Sequence, residues 1–257
     1  MVHCAADLAG PIRRRHNGAV IDPATLWDFN DPAGSEARLR IALVGASTRE
    51  ASVLRTQVAR ALGLQQHFGE ALAVLDGIES VDPEVHVRIL LERGRVYRSS
   101  DDLDAAAPLF RAAVTAADTA GLDALAIDAM HMVALTLPAE EQVDYTRMIL
   151  TRARASSDPS GRRWVASILN NLGMAHSDEG EWQLALEAFE EALAERLNGT
   201  DVEATHAARW MVAWALRNLG RTDEALAAQR ALKADLAATG HEDPYVDDEI
   251  ALLTRPS

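Results

Sequence analysis

Residues 164–197, WVASILNNLGMAHSDEGEWQLALEAFEEALAERL, constrain the fold of this chain more than any other stretch. Apolar residues recur every three or four positions on both sides of a Glu179-Gly180 turn, which is the pattern of two amphipathic helices. Small residues, Gly173 and Ala185, stand where two antiparallel helices must approach closely. The stretch therefore predicts a helical hairpin, and its period can be searched for along the rest of the chain.

The hairpin resembles a tetratricopeptide repeat (TPR), a 34-residue pattern with small and aromatic residues at fixed positions. The residues on these positions are Leu172, Gly173, Gly180, Ala185, Phe189 and Ala192, with His176 where the pattern prefers Tyr. The Asn170-Asn171-Leu172-Gly173 segment and Pro108 are similar to repeats of the kinesin-light-chain type. The resemblance implies an all-α fold, a right-handed α-solenoid of stacked helix pairs.

Further copies of the pattern follow in register along the chain. The predicted repeats are residues 52–85, 87–120, 122–156, 164–199 and 206–240. We expect Pro83 to end the second helix of the first copy, and residues 156–162 to form the one clear internal loop. Residues 24–255 should then form a single array of about five TPR-like helix pairs.

Both ends of the array carry additional segments. An extra helix is expected in front, from Pro32 or Ser35 to Ala46, and a capping helix behind, over residues 243–254. Residues 1–23 have no apolar period, so a disordered tail is expected there. The short segment with Trp27 and Phe29 is expected to cover the open end of the stack.

Charge and composition limit the partners. The formal net charge of −14 disfavours general binding to nucleic acid or to anionic membranes. No run approaches the roughly 20 apolar residues of a membrane span, and the N-terminus does not have the order of a secretory signal. A single cysteine, Cys4, excludes a framework of intrachain disulfides. We therefore predict a cytoplasmic protein that binds neither nucleic acid nor membranes.

No constellation of residues indicates catalysis, a cofactor or a metal. The eight histidines are scattered, without a His-Glu-x-x-His motif, and glycine-rich phosphate loops and a G-x-S-x-G elbow are absent from the sequence. Met130-His131-Met132 cannot converge on one ion, because successive helical residues point about 100° apart. The sequence predicts a protein that is not an enzyme.

In the TPR family the first helix of each pair lines a concave groove, and the resemblance places candidate peptide-binding residues there. These residues are Arg60, Arg88, Arg95, Arg98, His131, Asn170, Asn171, Met174, Trp210, Trp214 and Arg217. The arginines would pair with carboxylates, the asparagines would hold an extended backbone, and the tryptophans would bury an apolar side chain. An equally weighted alternative is that the arginines pair with Glu92 and neighbouring acids, and that both tryptophans belong to the core between repeats.

The resulting hypothesis is a non-enzymatic binding module that holds a peptide segment of a partner protein, acidic or carboxylate-ended, in its groove. The alternative is a regulatory or sensory array that binds a ligand and controls a separate effector. Homo-oligomerisation, through the Trp27/Phe29 segment or the C-terminal end, is a third hypothesis.

Overall fold

The computed structural model describes residues 21–255, and within that range the chain is helical, with no β-strand. A short 3₁₀ helix, Pro23–Leu26, precedes the α-helices. These are α1 Pro32–Ala42, α2 Thr48–Leu64, α3 Phe68–Asp76, α4 Pro83–Ser99, α5 Leu103–Thr119, α6 Asp123–Ala134, α7 Ala139–Ala155, α8 Pro159–Arg162, α9 Val165–Asp178, α10 Trp182–Leu197, α11 Val202–Asn218, α12 Thr222–Ala238 and α13 Pro244–Leu253. None of these helices is long and apolar enough to cross a bilayer.

Ten of these helices form five consecutive pairs: α2 with α3, α4 with α5, α6 with α7, α9 with α10, and α11 with α12. Each pair packs on its neighbours along the chain, while α1 packs on α2 at one end and α13 packs on α12 at the other. The predicted all-α solenoid, with an extra helix in front and a cap behind, is confirmed.

Apolar burial is distributed along the array in five clusters of buried side chains. Phe110 and Phe189 are fully buried, and each ring lies on a glycine of the preceding helix. A Cβ atom on Gly94 would lie 2.4 Å from Phe110 Cε1, and one on Gly173 would lie 2.4 Å from Phe189 Cε1. Glycine is therefore required where the ring of a second helix meets the backbone of the first.

Pro83 begins α4 and does not end α3, which already stops at Asp76. The side chain of Asp82 caps α4 by accepting hydrogen bonds from the backbone N–H groups of Glu84 and Val85. A proline in the first helical turn loses no intrahelical hydrogen bond, so this Asp-Pro pair starts a helix. The prediction that Pro83 ends a helix was wrong.

The predicted loop over residues 156–162 contains one helical turn, α8, which packs on α6 and α7. Arg162 donates a hydrogen bond to the Ser156 carbonyl at 2.6 Å and ties the turn to the end of α7. Although α8 lies between the third and fourth pairs, α9 still packs on α7, as α6 packs on α5 and α11 on α10. The expected front helix is also shorter than predicted and ends at Ala42.

A disordered tail was predicted over residues 1–23. Residues 1–20 of it lie outside the described residues. Residues 21–23 of the predicted tail are described. The Ile21 N–H donates to Glu50 Oε1 at 3.2 Å, and the Ile21 side chain packs against the first apolar cluster. Leu26 and Trp27 pack against the same cluster.

Candidate functional site: a groove along the first helices

Polar side chains of α2, α4, α6 and α9, the first helices of four pairs, contact one another from helix to helix. The contacts that join them are Arg60–Glu92 at 4.0 Å, Arg95–Asp128, and His131–Asn171 at 2.6 Å. These helices therefore share one continuous face, and we call this face, together with the corresponding side of α11, the groove.

Arg95 lies at the centre of the groove wall and is 13% exposed. Its guanidinium donates to Glu92 Oε1 at 2.6 Å on the same helix and to Asp128 on α6. Burial alone would lower the pKa of Arg95, but the charges of Asp128 and Glu92 outweigh it and raise that pKa. Arg95 thus joins two helices and is not a free cation.

Two further arginines of the predicted basic strip also have acidic partners. Arg88 pairs with Glu84 at 2.9 Å, one turn earlier on α4. Arg60 lies near Glu92, and burial together with the neighbouring Arg95 lowers the pKa of its guanidinium. Three of the four arginines of the strip therefore have acidic partners within the protein.

The segment before α1 covers the Arg60 end of the groove. The rings of Trp27 and Phe29 stack at 5.0 Å, and the Arg60 guanidinium carbon lies 5.8 Å and 5.4 Å from their centroids. The Trp27 indole N–H donates to Gln57 Oε1 at 3.0 Å, and the Asn30 amide donates to Glu203 of α11. The segment therefore lies over Arg60 of α2 and also reaches α11.

Arg98, one turn after Arg95, makes no ion pair or side-chain hydrogen bond with residues 21–255. It borders a cavity of about 190 Å³ between α2, α4 and α6, which we call the groove cavity. The charged residues that line it are Arg60, Glu92, Arg95 and Arg98. Larger cavities of about 440 and 650 Å³ flank residues 198–201, and one of about 320 Å³ is lined by Arg88, Asp128 and Trp164. An unpaired guanidinium therefore borders the groove cavity, which is partly open to solvent.

His131 of α6 is held as a neutral imidazole. Asn171 Nδ2 is 2.6 Å from His131 Nε2, so this nitrogen accepts, and Nδ1 carries the proton without a partner among the described residues. Burial, with Arg95 and Arg98 nearby, lowers the pKa of His131 to about 4, against the opposing charge of Asp128. The ring also packs on Trp164, with 5.0 Å between ring centroids.

Because His131 is neutral in the folded protein, we expect the protein to lose stability on acidification. Between pH 6.5 and pH 4 the unfolded chain binds a proton at this site that the folded protein does not, so the free energy of unfolding falls as pH falls. We expect about 2 kcal/mol to be lost through His131 between pH 8 and pH 5. Urea unfolding at both pH values measures it, and His131→Gln should remove that part of the dependence. The exposed His86→Gln is the control, and equal pH dependence of both variants would contradict the assignment.

The asparagines and Met174 differ in their availability to a ligand. Asn170 is partly exposed, and its side chain makes no hydrogen bond with the described part of the chain. Asn171 is engaged with His131, and Met174 packs against the fourth apolar cluster. Of the three, only Asn170 has an amide that makes no hydrogen bond and packs in no apolar cluster within the described residues.

Trp210 and Trp214, which were predicted to line the groove, pack against residues of the apolar clusters. Trp214 packs edge-on against Trp182 at 4.9 Å and lies 6.3 Å from Phe189. Trp210 packs against the last apolar cluster, and its indole N–H is buried without a partner among the described residues. Arg217 donates to Glu249 at 2.8 Å and ties α11 to α13. These residues join the last repeat to its neighbours.

One group outside the groove brings three potential metal ligands together within the described residues. The ligand atoms of His176, Glu179 and Glu181 lie within 4.8 Å of one another at the α9–α10 turn. His176 Nδ1 is 2.6 Å from Glu181 Oε2, and the Arg147 guanidinium is 3.4 Å from its Nε2. Both ring nitrogens of His176 thus already have protein partners, and one of these partners, Arg147, is a cation. The group is better explained as side-chain contacts that stabilise the turn than as a metal site.

Two models of the tetratricopeptide repeat family match the chain, over residues 56–121 and 164–234, and together they cover more than half of it. The chain belongs to the tetratricopeptide repeat family. No curated protein matches this TPR sequence significantly.

Solved structures share the fold of this TPR protein. BtubC (BKLC) from P. vanneervenii is 16% identical with a TM-score of 0.60, and the match covers 84% of this chain and 92% of that one. Kinesin-light-chain TPR-like repeats from P. anserina are 19% identical with a TM-score of 0.55, over 77% and 100%. The Rap conjugation gene regulator of plasmid pLS20, in complex with the Phr* peptide, is 19% identical with a TM-score of 0.62, over 84% of this chain and 63% of that one. The resemblance to kinesin-light-chain repeats is thus confirmed.

Sequence reasoning left open which acids pair with the arginines of the groove in this TPR protein, and it did not place Trp27 and Phe29 beside Arg60. Asp128 follows Arg95 by 33 residues, close to one repeat, and this spacing signals that the two lie on adjacent helices. Glu92 precedes Arg95 by three positions, a spacing at which helical side chains meet. No spacing signals that Trp27 and Phe29 stack by Arg60, because they precede the repeats.

Proposed function

We propose that this TPR protein is a non-enzymatic interaction module whose groove holds a peptide segment of a partner protein. The observation that carries the proposal is Arg98, a guanidinium without a partner among the described residues, beside the partly open groove cavity between the first helices. In a chain with a net charge of −14, an arginine left free of acidic partners favours a carboxylate from a ligand.

Further contacts support an extended ligand that carries a carboxylate. The excess of positive charge at Arg60 and Arg98 favours an anion in the groove cavity. The free amide of Asn170, two repeats further along the face, offers both a donor and an acceptor to a peptide backbone. Arg98 and Asn170 therefore provide two separated polar anchors for one segment.

A structural neighbour supports a peptide as the ligand class. The Rap regulator of pLS20, which shares the fold, was solved with the Phr* peptide. At 19% identity the likeness concerns the fold alone, so this neighbour shows only that a helical array of this kind accommodates a peptide.

Arg98→Glu is expected to weaken peptide binding by about 10- to 100-fold, since a charge-assisted hydrogen bond contributes about 1.5–3 kcal/mol and is here replaced by repulsion. Wild-type protein is first screened against immobilised synthetic peptides with free carboxyl ends, and the affinity of retained peptides is measured by fluorescence anisotropy. Arg98 suits this test better than Arg95, because Arg95 also holds α4 to α6.

Arg111→Glu is the matched control, with the same change of charge. Arg111 is exposed on α5, a second helix, and makes no ion pair within residues 21–255. Its variant should bind like the wild type, and both variants should keep the wild-type helical content and thermal midpoint. The proposal fails if the wild type retains no peptide, or if retained peptides bind the two variants equally.

The second candidate is a regulator whose array changes shape when the ligand binds. It is favoured by the likeness to the Rap gene regulator, which is itself a control protein. Small-angle scattering with and without a retained peptide separates the candidates, because a passive module keeps its radius of gyration and a regulator changes it.

A further inference from the structure

Three arginines line a cavity of about 650 Å³ that lies between α8, the start of α9 and the end of α10. They are Arg162, Arg163 and Arg196, and the loop 198–201 that leads into α11 completes the wall. We call this space the arginine cavity. None of the residues that line it is among the candidates for the peptide groove, and its volume lies within the roughly 300–1,000 Å³ of small-molecule sites.

The three arginines form no ion pair with the described residues, although most other arginines of the described chain do. Arg162 donates to the Ser156 carbonyl at 2.6 Å, and Arg196 donates to Ser167 Oγ at 2.9 Å. Because both acceptors are neutral, they position the two guanidinium groups and leave their charges uncompensated. Arg163 is exposed, and its side chain makes no hydrogen bond within the described part of the chain.

Two carboxylates line the same cavity, and neither forms an ion pair with the arginines. Asp201 accepts from the Ala204 N–H at 2.9 Å and caps α11. Glu195 is exposed on α10 and makes no ion pair with any described residue. The net charge of the protein, −14, repels anions at long range, so only a local cluster of arginines can attract one. The arginine cavity provides such a cluster.

The number of donors around the arginine cavity favours phosphate groups over a single carboxylate. Each guanidinium has five N–H donors in a planar fork that matches two phosphate oxygens, whereas a carboxylate has only two oxygens to accept them. The Thr200 hydroxyl also lines the cavity and makes no hydrogen bond among residues 21–255. Two linked phosphate groups would use more of these donors than one.

We propose that the arginine cavity binds a small anion with at least two linked phosphate groups, either inorganic or part of a nucleoside diphosphate. The phosphate oxygens pair with Arg162, Arg163 and Arg196, and one of them accepts from the Thr200 hydroxyl. This site goes beyond the proposed function, because it shares no residue with the peptide groove and either can fail without the other.

Inorganic pyrophosphate is the probe, and the amide resonance of Gly199, which lines the cavity, is the local readout. The protein is labelled with ¹⁵N-glycine, the resonance is assigned with Gly199→Ala, and the buffer has low ionic strength because salt screens exposed charges. Pyrophosphate is expected to shift this resonance in a saturable way. Orthophosphate and citrate should each bind at least about 10-fold more weakly, the loss expected when one charge-assisted contact is missing.

A nucleotide arm distinguishes the two sources of the diphosphate. If ADP binds at least about 10-fold more tightly than pyrophosphate, the nucleoside contributes contacts and the ligand is a nucleoside diphosphate. If the two bind alike, the phosphate groups alone are recognised, and an inorganic diphosphate is the ligand.

Variants test the contact from the side of the protein. Arg163→Gln should weaken pyrophosphate binding by at least about 10-fold, and Arg163→Lys, which keeps the charge and loses the fork, should bind with intermediate affinity. Both should keep the wild-type thermal midpoint, because Arg163 has no partner among the described residues. Arg111→Gln, at an exposed arginine of α5, is the matched control and should bind like the wild type.

Three results would each overturn the site. They are the lack of a saturable shift of Gly199 at millimolar pyrophosphate, equal affinity of Arg163→Gln and Arg111→Gln, and equal affinity of the wild type for pyrophosphate and citrate. The last result would show an unselective basic patch. Retention of synthetic peptides by the groove is unaffected by any of them.

Discussion

Arg95→Met is expected to lower the free energy of unfolding by about 3–5 kcal/mol. Methionine approximates the length of the arginine stem, but it leaves the carboxylates of Glu92 and Asp128 desolvated without their shared guanidinium. Among the described residues only Arg60, 4.0 Å from Glu92, then remains within ion-pairing distance of either carboxylate. The loss exceeds the contribution of the pair itself, because the remaining charges stay buried. Urea unfolding at pH 7, followed by circular dichroism, measures it.

Arg93→Met is the matched control on the same helix. Arg93 pairs with Asp76 at 2.5 Å, but the two side chains are 28% and 64% exposed, so the pair is solvated. Its loss should cost less than about 1 kcal/mol. Equal losses for Arg93→Met and Arg95→Met would refute the structural role of the buried contacts. Changing Glu92 and Asp128 to leucine in the Arg95→Met background should recover most of the stability, because no unpaired charge then remains.

Phe189→Ala is expected to lower the free energy of unfolding by a similar amount, about 3–5 kcal/mol. The ring is fully buried between the fourth and fifth helix pairs, where it lies on Gly173 and 6.3 Å from Trp214. Truncation removes its apolar contacts and leaves a cavity that the rigid helix crossing cannot close. Denaturant unfolding measures the loss. Phe29→Ala, at a 60% exposed position, should cost about 1 kcal/mol or less.

Gly173→Ala distinguishes the ring contact from a general effect of truncation. In the wild type the added methyl meets Phe189 Cε1 at 2.4 Å, so the substitution should destabilise by about 1–3 kcal/mol. In the Phe189→Ala background the methyl has room, and the better helix propensity of alanine should stabilise by up to about 1 kcal/mol. The same sign in both backgrounds would show that the ring does not require this glycine.

The helix pairs were predictable because short-range constraints define them. Gly173, Ala185 and Phe189 recur at the spacing of the family, and the structure buries the small residues where the helices cross. Asp-Pro steps were ambiguous, because the same proline is compatible with the start of one helix and with the end of another. At Pro83 the structure resolves this ambiguity, because Asp82 caps the helix that begins there. Such a cap can be recognised in a sequence only when the following helix is already known.

The position of the groove was predictable from the sequence. Which of its arginines have acidic partners was less predictable. Placing Arg60, Arg88, Arg95 and Arg98 on one face required only the register of the repeats. Which of them is free depends on acids from the same and adjacent helices, among them Glu92 on α4 and Asp128 on α6. Sequence reasoning held both outcomes open, and the contacts within α4 and between α2, α4 and α6 separated Arg98 from the others.

The sequence by itself determined the all-α class, the number of helix pairs and the face on which polar residues collect, because an amphipathic period and the spacing of small residues are local properties of the chain. The tertiary structure decided which charges cancel, which aromatic rings become core, and that Trp27 and Phe29 cover Arg60. Those outcomes depend on distances between helices, and burial and Coulomb interactions follow distance in space and not separation along the chain.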